Sequence, residues 1–394
     1  MAFLSKNRIY LDHASATPVA DEALYSMVEA EAIFGNPGAI HSEGVAAARS
    51  LLASRETIAR VLACRPREVV FTSGLTEANN LGILGFAEAL QRADRPLSET
   101  HWLVSAIEHD SVLECFVELE RLGARITHID PDKRGLLSVE KVAHALRKET
   151  VFASIGWANS EIGTVQPLSH IAHTIRAHEK AHGTTLLLHA DAGQAVLYRA
   201  PSVHTLGVDL FSLGSGKLYG PRGVGALYIG KRAVLAGIMA GGGQERGLRP
   251  GTEPVALAAG FARAVQLAES RREKESKRLE KLRDAFAARL LLEIPGALLN
   301  GDLKRSLPHM LNISIPQINS EYLVLALDQA GIALSTKAAC SEGNRNESHV
   351  VKALGGEEWR SKNTLRFSLG ISTTESELSR ALKIFLRVLR SLPS

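Results

Sequence analysis

The sequence predicts an α/β protein: a mostly parallel sheet covered by helices on both faces, followed by a smaller α+β C-terminal domain. Three observations carry this. Short apolar, β-rich runs alternate with helix-patterned stretches between about residues 55 and 230. A glycine-rich break, Gly241-Gly242-Gly243 through Pro254, interrupts that alternation. A long charged stretch then keeps Leu279, Leu282, Phe286 and Leu290 on one helical face, until Pro295-Gly296 ends it.

The alternation reads element by element. Val69-Val70-Phe71 runs into Ser73-Gly74 and a helical pattern. Trp102-Leu103-Val104 precedes a helical stretch around Val112-Leu122. Val151 to Ile155 is followed, after a glycine-containing turn, by Ile171-Ala181. Leu186-Leu187-Leu188 leads to His189-Ala190-Asp191, and Leu210 to Leu213 meets a glycine-rich turn. Right-handed crossovers place the C-terminal ends of such strands on one edge, where open α/β sheets bind ligands.

The chain has 394 residues, which suits a large domain with a smaller one attached. Lys and Arg exceed Asp and Glu by only four, so the charge balance does not predict nucleic-acid binding. No window approaches about 20 apolar residues, so no membrane span is expected. The N-terminus carries no signal-peptide pattern. Cys64, Cys115 and Cys340 are too scattered for a disulfide framework or a metal site. A cytoplasmic setting follows as the expectation.

Six places carry candidate chemistry. Lys217 follows a buried run in Gly214-Ser215-Gly216-Lys217; burial lowers an amine's pKa and suits Schiff-base chemistry, whereas a surface or phosphate-contacting lysine is the plainer reading. Asp191, just past an apolar strand, needs a cationic partner or donors, or else caps a turn. Ser73-Gly74-Leu75-Thr76 sets free backbone N–H groups at a helix start, a geometry that binds phosphate but also serves as an ordinary N-cap. His109 can stack on an aromatic ligand and move protons, or simply be hydrogen-bonded in place. Cys340 lies among small residues with Lys337 near enough to favour the thiolate, although most cysteines are inert. Arg366, within a strand-like run, can grip a carboxylate bidentately or sit on a surface strand.

In this order and spacing the residues resemble the class V aminotransferase group of pyridoxal 5'-phosphate (PLP) enzymes, and within it the cysteine desulfurases. The resemblance runs from Tyr10-Leu11-Asp12 to the C-terminal helix. It is most specific at Asn36-Pro37 with His41, Thr72 to Asn80, Glu161 to Pro167, Lys217 to Pro221, Gly241 to Arg249, and Ala339-Cys340. It implies the type I fold of PLP-dependent transferases with a seven-stranded sheet. Residues 1–20 would pack with the small domain, 21–256 form the coenzyme domain, and 257–394 form the small domain carrying Cys340. Lys217 would bond the coenzyme covalently, Asp191 pair with its ring nitrogen, Gln194 contact its ring hydroxyl, and His109 stack on the ring. Gly74, Leu75 and Thr76 would cradle the phosphate, with Ser215 or Ser212 standing in for the family's serine and histidine donors that this chain lacks, and Thr252 would reach the phosphate of the neighbouring subunit. Arg366, Asn159 and Ser160 would hold L-cysteine, and Cys340 would carry the persulfide. A homodimer with shared sites is implied, passing sulfur to an acceptor protein of iron–sulfur assembly or tRNA thiolation. No metal is implied.

Four departures bear on phosphate and substrate handling. The family's Ser-x-His-Lys is Gly214-Ser215-Gly216-Lys217, and its Asn-Asn-Glu is Asn159-Ser160-Glu161. Its Ser-Gly-Ser-Ala-Cys is Thr336-Lys337-Ala338-Ala339-Cys340, and Ile371 replaces an arginine. The alternatives are another class V activity (an aminotransferase, a selenocysteine lyase or a β-elimination lyase) and a degenerate, non-catalytic partner protein.

Overall fold

The computed structural model describes residues 8–336 and 347–391. Among the described residues, twelve strands form three sheets. The largest takes seven: β2 (Val69–Thr72), β3 (His101–Ser105), β4 (Arg125–Ile129), β5 (Thr150–Ser154), β6 (Leu187–Asp191), β7 (Leu210–Gly214) and β8 (Gly225–Ile229), in the order β2-β8-β7-β6-β5-β3-β4. From β4 across to β7 all pairings are parallel, while β8 is antiparallel to both β7 and β2. The physical reason is length: residues 215–224 join β7 to β8, too few for a helical crossover back to a parallel neighbour.

Strands β2, β3, β5, β7 and β8 are buried along their whole length, which explains their unbroken apolar runs. Edge strand β4 instead mixes exposed and half-buried residues, Arg125-Ile126-Thr127-His128, and has no such run. One apolar layer covers each face; Val70, Trp102, Phe116 and Phe152 pack in one, Phe71, Leu103, Ile171 and Phe211 in the other.

β6 extends further than its apolar run suggests. Asp191 is its last residue, paired with Ser212 of β7, not a residue beyond the strand. The ladder holds because His189, fully buried, is satisfied from both sides: Nδ1 by Ser154 Oγ at 2.8 Å and Nε2 by Ser212 Oγ at 2.9 Å. Burial pushes its pKa down to about 4, so it is neutral.

The long helix runs Val255–Glu293 without interruption, and the helices Asp21–Glu31 and Ser42–Leu62 pack on it. Beyond it lies an antiparallel sheet of β9 (Leu298–Leu299), β10 (Met310–Ser314) and β12 (Thr364–Ser368). The remaining strands, β1 (Ile9–Tyr10) and β11 (Ile332–Ala333), pair in parallel, bringing the start of the chain to its C-terminal third. The stretch 241–254 contains a 3-10 turn, Gln244–Gly247, whose buried Glu245 makes a two-point ion pair with Arg55 at 2.7 Å and accepts from Phe71 N at 3.1 Å. No described helix is long and apolar enough to cross a membrane.

Candidate active site

Five chain segments that leave the C-terminal edge of the large sheet converge on one pocket. After β2 come Leu75 and Thr76; after β3, Ile107, Glu108 and His109; after β5, Ala158, Asn159 and Ser160; at the end of β6, Asp191 to Gln194; after β7, Lys217. Ala14 and Ser15 of the N-terminal segment, and Arg366 of β12, close it.

The Leu75–Arg92 helix begins at this edge with no side chain capping its first amides. The turn before it needs glycine on the neighbouring strand: a Cβ at Gly225 would lie 2.7 Å from the carbonyl carbon of Gly74. Gly74 is the N-cap and sets the turn, while Leu75 and Thr76 reach the pocket wall. Uncapped helical amides at a glycine-cleared turn are an anion cradle.

Asp191 is held at both oxygens. Oδ1 accepts from Gly193 N at 2.8 Å, and Oδ2 accepts from Asn79 Nδ2 at 2.8 Å. That amide also donates to Ser111 Oγ at 2.9 Å, and Ser111 Oγ bonds His109 Nδ1 at 2.9 Å. His109 caps the Asp110–Arg121 helix, its Nδ1 accepting from Ser111 N at 3.1 Å, which puts the ring proton of the neutral form on Nε2. A single polar chain thus fixes His109 and Asp191 together.

Lys217 sits at the end of the 3-10 turn Ser215–Lys217. Its Nζ donates to the carbonyls of Ala14 at 2.7 Å and Ser15 at 2.6 Å, and Gln194 Nε2 donates to Ala14 O at 2.9 Å. Arg366 is 1% exposed; Nη1 donates to Ser160 O at 3.0 Å, and Nη2 to Asp12 Oδ1 at 2.8 Å and Ser15 Oγ at 2.5 Å. Its Nε is buried with no hydrogen-bond partner among the described residues.

Ser215 does not belong to the pocket. It is fully buried on the other side of the turn, packed so closely on Gly220 that a Cβ there would lie 2.2 Å from its Oγ. A 3-10 turn rotates by about 120° per residue, so residues two apart point in different directions. Thr252 is exposed and does not line this pocket. Asn159 lines it, but its amide is spent on the loop: Nδ2 donates to Ile107 O at 2.7 Å, and Oδ1 accepts from Glu161 N at 2.8 Å and Ile162 N at 3.0 Å. Ser160 presents its carbonyl to Arg366. Cys340 and Lys337 lie outside the described residues.

Sequence reasoning missed four contributors: Asp12, Asn79, Ser111 and Glu108. Glu108 adjoins His109 in the chain and is buried; Oε1 accepts from Gly156 N at 2.8 Å. Burial pushes its carboxyl up to about 8, with the Asp191 charge adding to the rise. The one available signal was its place beside His109 at a strand end.

An amine, a carboxylate held at the strand edge, an imidazole and an uncapped helix start form the donor set of a coenzyme with an aldehyde, a ring nitrogen and a phosphate. The residues fit PLP, and the orphaned Arg366 Nε fits a substrate carboxylate. The site and fold define a PLP-dependent enzyme of the type I fold. Residues 9–381 match the family described as aminotransferase class-V. The cysteine desulfurase IscS of Dictyoglomus turgidum is 36% identical over 388 residues, covering 98% of this chain and 96% of that one. A solved structure of a NifS-like protein superposes with a TM-score of 0.90 at 32% identity, covering 98% of this chain and 100% of the other. A structure of SspA in complex with cysteine gives a TM-score of 0.76 at 31% identity, with 92% and 98% coverage. The chain belongs to the class V aminotransferase family.

Proposed function

We propose that the protein is a cysteine desulfurase that takes sulfur from L-cysteine, releases L-alanine and holds the sulfur as a persulfide on Cys340. The observation that carries this is the convergence of Lys217, Asp191 and Arg366 in one pocket at the strand ends. Bound there through Lys217, PLP supplies an electron sink for bonds at the substrate α-carbon.

The residues divide the work. Arg366 grips the substrate carboxylate, with Asp12, Ser15 and the Ser160 carbonyl fixing the guanidinium plane. Lys217 is the amine that would move the substrate α-proton. Asp191 would accept from the ring nitrogen, Gln194 would contact the ring hydroxyl, His109 would stack on the ring, and the Gly74-Leu75-Thr76 turn would hold the phosphate. The Cys340 thiolate attacks the substrate sulfur; the S–S bond forms as the C–S bond breaks, and the carbon takes a proton to become alanine.

Two arguments support Cys340. Burial pushes the thiols of Cys64 and Cys115 up to about 12, which leaves them protonated. Both flanks of 337–346 are anchored at the pocket: Ser335 pairs with Arg366, and Ser348 Oγ bonds Glu161 Oε2 at 2.5 Å. We further read 21–256 as the coenzyme domain and 257–394 as the small domain, joined by residues 1–20 through the β1–β11 pairing. The working unit is a homodimer in the cytoplasm, Thr252 reaching the partner's phosphate, with a sulfur-acceptor protein downstream.

The test is a cysteine-to-alanine assay on wild type and Cys340→Ser, with mass analysis of Cys340 and borohydride trapping at Lys217. The variant should keep the coenzyme absorbance and lose sulfur release. Unchanged sulfur release in Cys340→Ser, or a coenzyme adduct elsewhere than Lys217, overturns the assignment. A cofactor band perturbed more by alanine or serine than by cysteine points to a different class V activity.

A further inference from the structure

The loop from Trp157 to Leu168 has two faces. One brings Ala158, Asn159 and Ser160 to the catalytic pocket. The other lays Trp157, Val165 and Pro167 along a second, solvent-open groove of about 660 Å3, and Gln166 borders both. The groove's apolar side is completed by Leu136 and Leu206.

Its rim is cationic. Arg134, Arg199, Lys304 and Arg305 line it against a single carboxylate, Asp132. Four positive groups less one negative group leave +3 there, while the entire chain carries +4. Asp132 is already engaged by Arg134 through Nη2 at 3.0 Å and Nε at 3.1 Å. Arg199, Lys304 and Arg305 form no ion pair among the described residues. The first turn of the Leu168–His182 helix, with no acidic residue and no side-chain cap, adds its dipole to the same groove.

These cations stand on a fixed platform. Val165 N donates to Arg305 O at 2.8 Å, Leu307 N to Gly163 O at 2.8 Å, and Asp302 caps Lys304 N at 3.0 Å. Clustered charge that a protein leaves uncompensated over apolar surface fits a partner of the opposite sign with apolar side chains. A polynucleotide backbone would make no use of the apolar floor.

We propose that this groove docks an acidic, amphipathic segment of the protein that receives the sulfur. The inference rests on the desulfurase reading. It places the acceptor against the loop whose opposite face meets the substrate, and whose Glu161 is bonded to Ser348 beyond the Cys340 segment.

The test titrates the coenzyme-loaded, full-length protein into a fluorescein-labelled 12-residue peptide of glutamates interspersed with leucines. Anisotropy is read for wild type, Arg199→Glu/Arg305→Glu and Lys304→Ala. Binding should weaken roughly tenfold in the double reversal, less in Lys304→Ala, and fall as salt rises. Alanine formation with dithiothreitol as the acceptor should stay unchanged in all three. Three results overturn the proposal: no peptide binding by wild type, equal binding by the double reversal, or tighter binding of a single-stranded oligonucleotide of matched charge. Failure of wild type to form alanine sinks the desulfurase reading separately, since the peptide titration does not depend on turnover.

Discussion

Replacing Glu108 with glutamine isolates the effect of one buried carboxyl on stability. In the folded protein this group titrates at about 8, against an ordinary value of 4.5. Desolvation is the main cause, the Asp191 charge pushes in the same direction, and Gly156 N, Ser105 and the His109 charge oppose them. Between those two pH values the folded state holds a proton that the unfolded chain has released. Stability conferred by the protonated form is therefore complete below 4.5 and is lost as pH rises through 8. At about 1.4 kcal/mol per pH unit the loss reaches ~5 kcal/mol as an upper bound. Glutamine keeps an oxygen for Gly156 N and does not ionise. Urea unfolding of wild type and Glu108→Gln is measured from pH 5 to 8.5, at fixed protein concentration and constant excess PLP. The wild type should lose several kcal/mol relative to the variant across that range, so the variant gains its advantage on the alkaline side. Parallel pH profiles would refute the neutral-carboxyl reasoning.

Asp12→Asn removes the carboxylate that compensates the buried Arg366 guanidinium and should cost about 3 kcal/mol in urea unfolding; a loss under half a kcal/mol would show that the pair does not hold the arginine. Gly225→Ala sets a Cβ 2.7 Å from both the Gly74 carbonyl carbon and Leu213 O, backbone atoms that cannot swing aside. It should lower stability by about 3 kcal/mol and weaken PLP affinity measured by absorbance titration; wild-type values for both would contradict the clearance argument. With Cys64 and Cys115 held protonated, a colorimetric thiol reagent at pH 7.5 should titrate one of the three cysteines rapidly; rapid reaction of two would remove an argument for Cys340.

The parts of this molecule that were legible in the sequence are those whose partners lie on the same short segment. Apolar runs such as Val69 to Phe71 announced strands because both sheet faces are buried, and Lys217, Asp191 and His109 stood out as polar groups at the ends of such runs. β4 was hidden because an edge strand keeps polar side chains such as Arg125 and His128. β8 was hidden behind glycines that the sequence reads only as a turn. Asn79 was visible in its motif, but its bond to Asp191 spans 112 residues, and no local pattern encodes it. Glu108 has its unusual proton affinity because the fold buries it and sets the charge of Asp191, from a different strand, against it. Ser215 lies outside the pocket lining because adjacency to Lys217 in the chain says nothing about the direction in which a tight turn aims its side chain.

The pairing of β1 with β11 bears on how the protein is made. Ile9 meets Ile332, and Asp12 meets Arg366, so these contacts must wait until the ribosome has added more than three hundred residues. At about 10 residues per second that delay is on the order of half a minute. Until then Ala14 and Ser15 cannot be held where Lys217 and Arg366 find them. The nascent chain therefore has no finished cavity until β11 and β12 have been made, although the residues from Leu75 to Lys217 that line its other side are already present.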